Sequence, residues 1–434
     1  MYLSMDKEIR EQIKDILQHE VLLATGCTEP GAVALCVAKA CELLGCEPEH
    51  IALKLSKNVF KNAMGVGIPG TGMIGLPIAV AMAVTHGDSN RGLEVLTMPE
   101  KEVEDAKRWL ANHAEKIDIG VNEEGDKLYI ECSVACGKTV ATAIIAKRHT
   151  NFVFLKKGDE VLLDIRSAEV VTQPESQQNH LLKLTARMVY DYATTAPIEE
   201  LAFLKDTVVY NNAASECGLE GMGLHTGQIL MEQSRGDMVH TVVARTVAAS
   251  DARMDGCTKP VYSNSGSGNQ GITCTLPPYY YGKSKGCSDE QILRALTMSH
   301  LMSIYIKRGI GRLSALCGIV NATMGVSAAL TYLEGGSFEQ IGYALKNMIN
   351  TIAGMVCDGA KPSCALKMSV GLYSAFVCSE LAVHGRVVDS TDGLSESDLD
   401  CSIRNLGRLG KDGMNQTDDM ILDIMTHKEL NAKS

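Results

Sequence analysis

The chain has 434 residues, with 52 Asp and Glu against 41 Lys and Arg, and a formal charge of −11. At 45% hydrophobic and 21% charged residues it can bury a large core, which excludes a disordered chain. An acidic chain without a basic run is poorly suited to a phosphate backbone, so nucleic acid is not an expected partner.

Residues 6–24 (DKEIREQIKDILQHEVLLA) are amphipathic and predict a helix that ends at the turn 25–30. The charged start carries no apolar signal-peptide core, so the expected location is cytoplasmic. Residues 31–46 predict a second helix, and Ile51–Phe60 alternates like a strand. A glycine-rich loop (65–72) and an apolar helix (73–84) follow. From about residue 91 the texture changes. Pro99 opens a charged helix, Glu100–Ala114. Strand-like runs then occupy Lys116–Val121, Lys127–Ala135, Thr139–Lys147 and Asn151–Lys156. A polar linker, Thr172–Asn179, leads into a long helical region. The expected fold is mainly α with a small α+β module. Residues 1–90 form a helical and Gly-loop part contributing to the active site, 91–168 the module, and 169–434 a helical catalytic region.

Two stretches without formal charge, 62–87 and 313–333, exceed the roughly 18 residues that prompt a membrane-span reading. Pro69, Pro77 and several glycines interrupt the first; Ser314, Asn321, Thr323, Ser327 and Thr331 interrupt the second. Both are expected to be buried helices, and no membrane is implied.

The motifs differ in what they imply. Gly65-Val-Gly67-Ile-Pro-Gly70 has dinucleotide-loop spacing, but no second strand leads to an acidic residue. Pro69 also lacks the N–H that would cradle phosphate. A tight loop serving a different site is the better reading. The chain has 15 cysteines, which in a reducing compartment are thiols or metal ligands. Cys132 and Cys136 share a strand face, and Cys36, Cys41 and Cys46 lie on or at the end of a helix; all five read as packing thiols. Cys317, Cys357 and Cys364 stand apart. Cys357 follows an apolar helical run, and Ser363 is placed to cap a helix whose first turn holds Cys364. There the helix dipole favours a thiolate. Three thiolates without a near fourth suit a [4Fe–4S] cluster with one open iron, although buried thiols or zinc suit the same spacing. His225 and His240 read as structural. Arg308 and Arg312 suit a carboxylate or a solvated role equally, and no lysine stands in a pyridoxal-phosphate setting.

Four segments add to this: Gly26–Leu35 (GCTEPGAVAL), Lys57–Gly72 (KNVFKNAMGVGIPGTG), Tyr262–Ile272 (YSNSGSGNQGI) and Cys357–Lys367 (CDGAKPSCALK). Together they resemble the L-cysteine desulfidase (cysteine desulfhydrase) family, which is related to the α part of iron–sulfur L-serine dehydratases. The resemblance implies that Cys317, Cys357 and Cys364 hold a [4Fe–4S] cluster and that Cys27 accepts the substrate's α-proton. It implies an oxygen-sensitive lyase that converts L-cysteine to pyruvate, ammonia and hydrogen sulfide. The loop 263–271 matches a segment near the substrate, and Ser265, Gly266, Ser267, Gly268 and Asn269 offer N–H groups and amides to a carboxylate. Lys57, Asn58 and Lys61 join the expected substrate site, the lysines as candidates for the positive surroundings a Cys27 thiolate needs.

Two departures from the dehydratase pattern matter. Serine dehydratases space the last two ligands wider than C-x6-C, and some place a C-terminal cysteine on the open iron, where this sequence reads Asn-Ala-Lys-Ser. L-Serine or another small β-substituted amino acid is the alternative substrate. A non-catalytic iron–sulfur sensor of cysteine is the alternative of another class. The expected partner is a small amino acid, and self-association into a homo-oligomer is compatible with the sequence.

Overall fold

The computed structural model describes residues 5–24, 26, 28–122, 128–166, 182–311 and 314–426. The linker expected at 172–179 lies outside them. Helix α1 (Lys7–Glu20) starts at Asp6, whose carboxylate accepts from the N–H groups of Glu8 and Ile9. The strand β1 (Leu23–Ala24), helix α2 (Thr28–Leu44) and strand β2 (His50–Ser56) follow. The expected strand Ile51–Phe60 therefore stops at Ser56, and α3 (Lys57–Ala63) takes over. Its buried Val59 and Ala63 are four apart, the spacing of one helix face, and this outweighs the alternation that ran on from β2.

Helices α4 (Leu76–His86) and α5 (Glu100–His113) precede the strands β3 (Ile117–Asn122), β4 (Tyr129–Cys136), β5 (Thr139–Ala146), β6 (Phe152–Lys157) and β7 (Glu160–Asp164). The order in the sheet is β3-β2-β4-β5-β6-β7, and only β2–β3 is parallel. Leu53 of β2 faces Ile119 on one side and Cys132 on the other, so β2 lies inside the sheet. Helices α2 and α4 pack their apolar residues (Leu35, Val37, Ile78, Met82) into one core with Leu53, Leu55, Ile130 and Val134. The division drawn at residue 90 crosses this core.

The second body is helical: α6 (Ala186–Thr195), a single turn at Ile198–Leu201, α7 (Leu204–Leu219), α8 (Thr226–Ser234), α9 (Met238–Met254), the strand β8 (Val261–Tyr262), α10 (Gly268–Ser284), α11 (Asp289–Ile310), α12 (Gly318–Leu333), α13 (Phe338–Ile352), α14 (Cys364–Val383), α15 (Leu399–Arg408) and α16 (Asn415–Thr426). Its core includes Ile13 and Leu17 of α1, Ile304, Met324, Leu345 and Leu372. The two charge-free stretches form α4 and α12, both largely buried. Among the described residues α14 alone is long and apolar enough to cross a bilayer, and its Met368, Leu372 and Ala375 are fully buried in the bundle.

Three contacts gather around one region, the first within the helical body and the other two between the bodies. β1 pairs antiparallel with β8 (Leu23 with Tyr262, Ala24 with Val261). The loop 65–72 docks on the end of α9, where Gly67 N–H donates to Met254 O at 2.8 Å and Gly70 N–H to Gly256 O at 3.1 Å. A Cβ on Gly67 would stand 2.3 Å from the Asp255 carbonyl carbon, so only glycine allows this approach. Finally, Lys57 and Lys61 of α3 pair with Asp419 and Asp418 of α16.

Candidate functional site

A one-residue antiparallel bridge, Leu316 with Val356, aligns the chain before α12 with the chain before α14. Cys317 N–H donates to Met355 O (2.9 Å) and Cys357 N–H to Ala315 O (2.7 Å), which sets the two cysteines side by side. Their thiols share a hydrogen bond. Cys364 is the first residue of α14, and its thiol donates to Gly359 O at 3.6 Å. The return of the chain depends on Gly359 at φ +93°, where a Cβ would stand 2.1 Å from the Lys61 carbonyl oxygen. Cys317 caps α12 and Cys364 opens α14, so the positive ends of two long helices face the thiols.

The structure departs from two local expectations. Ser363 has a helical backbone and its side chain makes no capping bond, because the preceding turn already runs in helical geometry. The thiol favoured as thiolate is Cys357, not Cys364. The Cys317 thiol donating to Cys357 holds it well below the ordinary range, against the cost of burial, with help from Lys61, the Gly359 N–H and Lys367. Cys317, the donor, is pushed the other way by that bond and by burial. Burial also raises Cys364.

Positive charge gathers around these sulfurs. Lys61 is only 3% exposed, Lys361 Nζ donates to the Lys61 and Asp358 carbonyls (3.3 and 2.6 Å), and Lys367 pairs with Asp358. Lys57 and Lys61 thus lie on a helix beside the cysteines, each bonded to an acidic partner on α16, and Asn58 between them is half-buried. Among the described residues no three His, Cys, Asp or Glu side chains, these thiols included, close on the single point a lone metal ion requires.

The loop before α10 reaches the same region. Asn264 and Ser267 exchange two backbone hydrogen bonds of 3.0 Å around Ser265 (φ +50°) and Gly266 (φ +79°). Ser265 N–H donates to Glu20 O, and the Ser267 side chain accepts from Gln270 N–H. The amides of Ser265 and Ser267, expected to be offered to a ligand, are therefore committed to the fold. Gly268 and Asn269 form the first turn of α10. Gln270 accepts from Asn321 at 2.7 Å and lies over Gly318, where a Cβ would stand 2.4 Å from its Nε2. His300, fully buried, fixes the loop from below: Asn264 Nδ2 donates to its Nδ1 (3.0 Å) and its Nε2 donates to Thr275 Oγ1 (3.1 Å).

Cys27 lies outside the described residues. Of its surroundings, Gly26 O accepts from Arg253 Nη2 at 3.1 Å, and Glu29 accepts from Asn62 of the 57–72 segment at 2.9 Å. Arg253 and His300 carried no sequence signal, since each enters through contacts that only the fold creates, and Gln270, inside the 263–271 segment, was given no role of its own. His225 and His240 are exposed and bonded to Gln228 and Asp237, in keeping with their structural reading. Arg308 is half-buried on α11, and Arg312 lies outside the described residues. Cys36 and Cys132 are buried, whereas Cys46 is exposed on the turn after α2 and is no core thiol. A surface groove of about 650 Å³ beside Cys41, His86 and Trp109 is lined by none of the residues around the three thiols.

Residues 90–423 match the family model of the serine dehydratase alpha chain. The chain is 50% identical over 433 residues to a UPF0597 protein of Bacteroides fragilis, covering 98% of this chain and 100% of that one. It is 46% identical over 431 residues to a UPF0597 protein of Parabacteroides distasonis (98% and 100%), and 41% over 421 residues to one of Oleidesulfovibrio alaskensis (96% and 97%).

Proposed function

Since the chain belongs to the serine dehydratase alpha chain family, we propose that it is an iron–sulfur lyase that eliminates the β-substituent of a small L-amino acid, L-cysteine first among them. The observation that carries this reading is the side-by-side pair Cys317 and Cys357, with Cys364 near enough to act on them electrostatically, at two helix N-termini among Lys61, Lys361 and Lys367. Three thiols with no fourth protein ligand among the described residues would suit a [4Fe–4S] cluster better than a four-coordinate zinc ion. The nearby lysines and helix ends fit the negative charge of the bound thiolates. Cys317, Cys357 and Cys364 would hold the group. When bound, it supplies an electrophilic iron that polarises the departing sulfur or oxygen.

The remaining work falls to the chain itself. Cys27 takes the weakly acidic α-proton, which requires its thiolate form and a place across the α-carbon from the leaving group. Gly26, which precedes it, is tied to Arg253, and Glu29, which follows, to Asn62. The loop 263–269, fixed by His300, presents the first turn of α10 to the carboxylate. The aminoacrylate released tautomerises and hydrolyses to pyruvate and ammonia. With cysteine the leaving group is sulfide, and the sum is cysteine plus water giving pyruvate, ammonia and hydrogen sulfide. The expected setting is an anaerobic or reducing cytoplasm.

The family description favours a second reading, L-serine as substrate. Anaerobic assays of sulfide from L-cysteine and pyruvate from L-serine separate the two by kcat/KM. Cys27→Ala is expected to keep the visible absorption of the cluster and lose turnover. Binding of cysteine without turnover of either amino acid would overturn the lyase in favour of a sensor.

A further inference from the structure

Among the described residues a buried guanidinium near the loop 263–269 bonds to no anion. Arg253 sits on the last turn of α9 and is 9% exposed. Its Nη1 donates to Asn269 Oδ1 at 3.2 Å and its Nη2 to Gly26 O at 3.1 Å. Among the described residues both of these bonds end on neutral oxygens, and Nε has no hydrogen-bond partner. An arginine cannot discharge itself by losing a proton, so a buried one without a counter-charge carries a large desolvation cost.

The place where Nε lies sharpens the point. A Cβ on Gly268 would stand 2.3 Å from Nε and 2.7 Å from Cζ, so the guanidinium rests against the first residue of α10. α10 runs for 17 residues, and the N–H groups of its first turn have no partners within the helix. The cap side chain of Ser267 is committed to Gln270. A guanidinium edge and the positive pole of a helix thus meet, and among the described residues no acidic side chain bonds to either. This arrangement is unfavourable empty and favourable around an anion.

We infer that Arg253 Nε and the first-turn N–H groups of Gly268 and Asn269 form the seat of the substrate's α-carboxylate. The inference rests on the proposed lyase reading for the identity of the anion, a planar carboxylate on a small amino acid. A guanidinium matches a carboxylate through parallel N–H donors, which an ammonium does not. The seat also explains why Gly268 is glycine. Because Arg253 holds Gly26 as well, seating the carboxylate also fixes Gly26. Arg253 is a substrate-binding residue that also positions Gly26.

The test is calorimetric titration of the anaerobic holoprotein with L-alanine, which has the carboxylate and no leaving group, and with ethylamine, which lacks the carboxylate. The wild-type protein binds L-alanine and not ethylamine. Arg253→Lys and Gly268→Ala should each keep the cluster absorbance and weaken L-alanine at least about tenfold, the loss of a charge-assisted bond pair. KM for cysteine should rise in parallel. Unchanged L-alanine affinity in both folded variants overturns the seat. If one variant does not fold, the other decides alone. Arg253-dependent L-alanine binding without turnover of cysteine or serine would keep the seat and remove the elimination reading.

Discussion

Replacing His300 by Gln should flatten the acid side of the stability profile. The ring is fully buried, accepts from Asn264 at Nδ1 and donates to Thr275 from Nε2, so it is neutral with its proton on Nε2. Burial pulls its pKa from 6.5 down to about 3. Between these values the unfolded chain binds a proton that the folded chain refuses. Stability from this group is therefore intact above pH 6.5 and falls as pH drops towards 3. At about 1.4 kcal/mol per pH unit, moving from about pH 7 to about pH 5 should cost the wild-type protein about 2 kcal/mol through His300 alone. Urea unfolding of both proteins at the two pH values isolates this part, because the other titrating groups are common to both. His300→Gln should lose about 2 kcal/mol less than the wild type over that interval. An equal loss in the two proteins would refute a neutral, buried His300 and with it the anchoring of the 263–269 loop.

Gly359→Ala places a Cβ at φ +93° and 2.1 Å from the Lys61 carbonyl, and should cost at least about 2 kcal/mol in urea unfolding while lowering iron retention. A fully stable, iron-loaded variant would show that the turn 358–363 does not need this close approach. Asp418→Asn removes the carboxylate that pairs with the buried ammonium of Lys61. With the Asp418 side chain 24% exposed, the loss should be about 1–3 kcal/mol, below that of a wholly enclosed pair, and measurable as a shift of the urea midpoint.

What could be read from the sequence was what local pattern determines. Alternation located β3 to β6 within a residue or two, and Pro99 marked the start of α5. The edge strand β7 went unseen because its run is short and mostly exposed, with no alternation of burial to betray it. The strand–helix change at Ser56 was hidden because the alternating pattern runs on into Phe60 while the helical face spans only one turn. At the site, cysteine spacing and glycines at tight turns were visible. The seat around Arg253 was not: its partners are Gly26, far away in sequence, and Asn269, and neither is implied by the run Asp-Ala-Arg-Met-Asp. Nor could spacing reveal that the bridge Leu316–Val356, rather than a helix end, brings Cys317 to Cys357.

The role of the three thiols is tested most directly by iron and acid-labile sulfide per chain in anaerobically purified protein. About four of each, with broad visible absorption, is expected in the wild type and in Cys27→Ala. Cys317→Ala, Cys357→Ala and Cys364→Ala should each lose the iron, the colour and the turnover together. A wild-type chain reconstituted without oxygen that takes up no iron, or three cysteine variants that hold as much iron as the wild type, would contradict it.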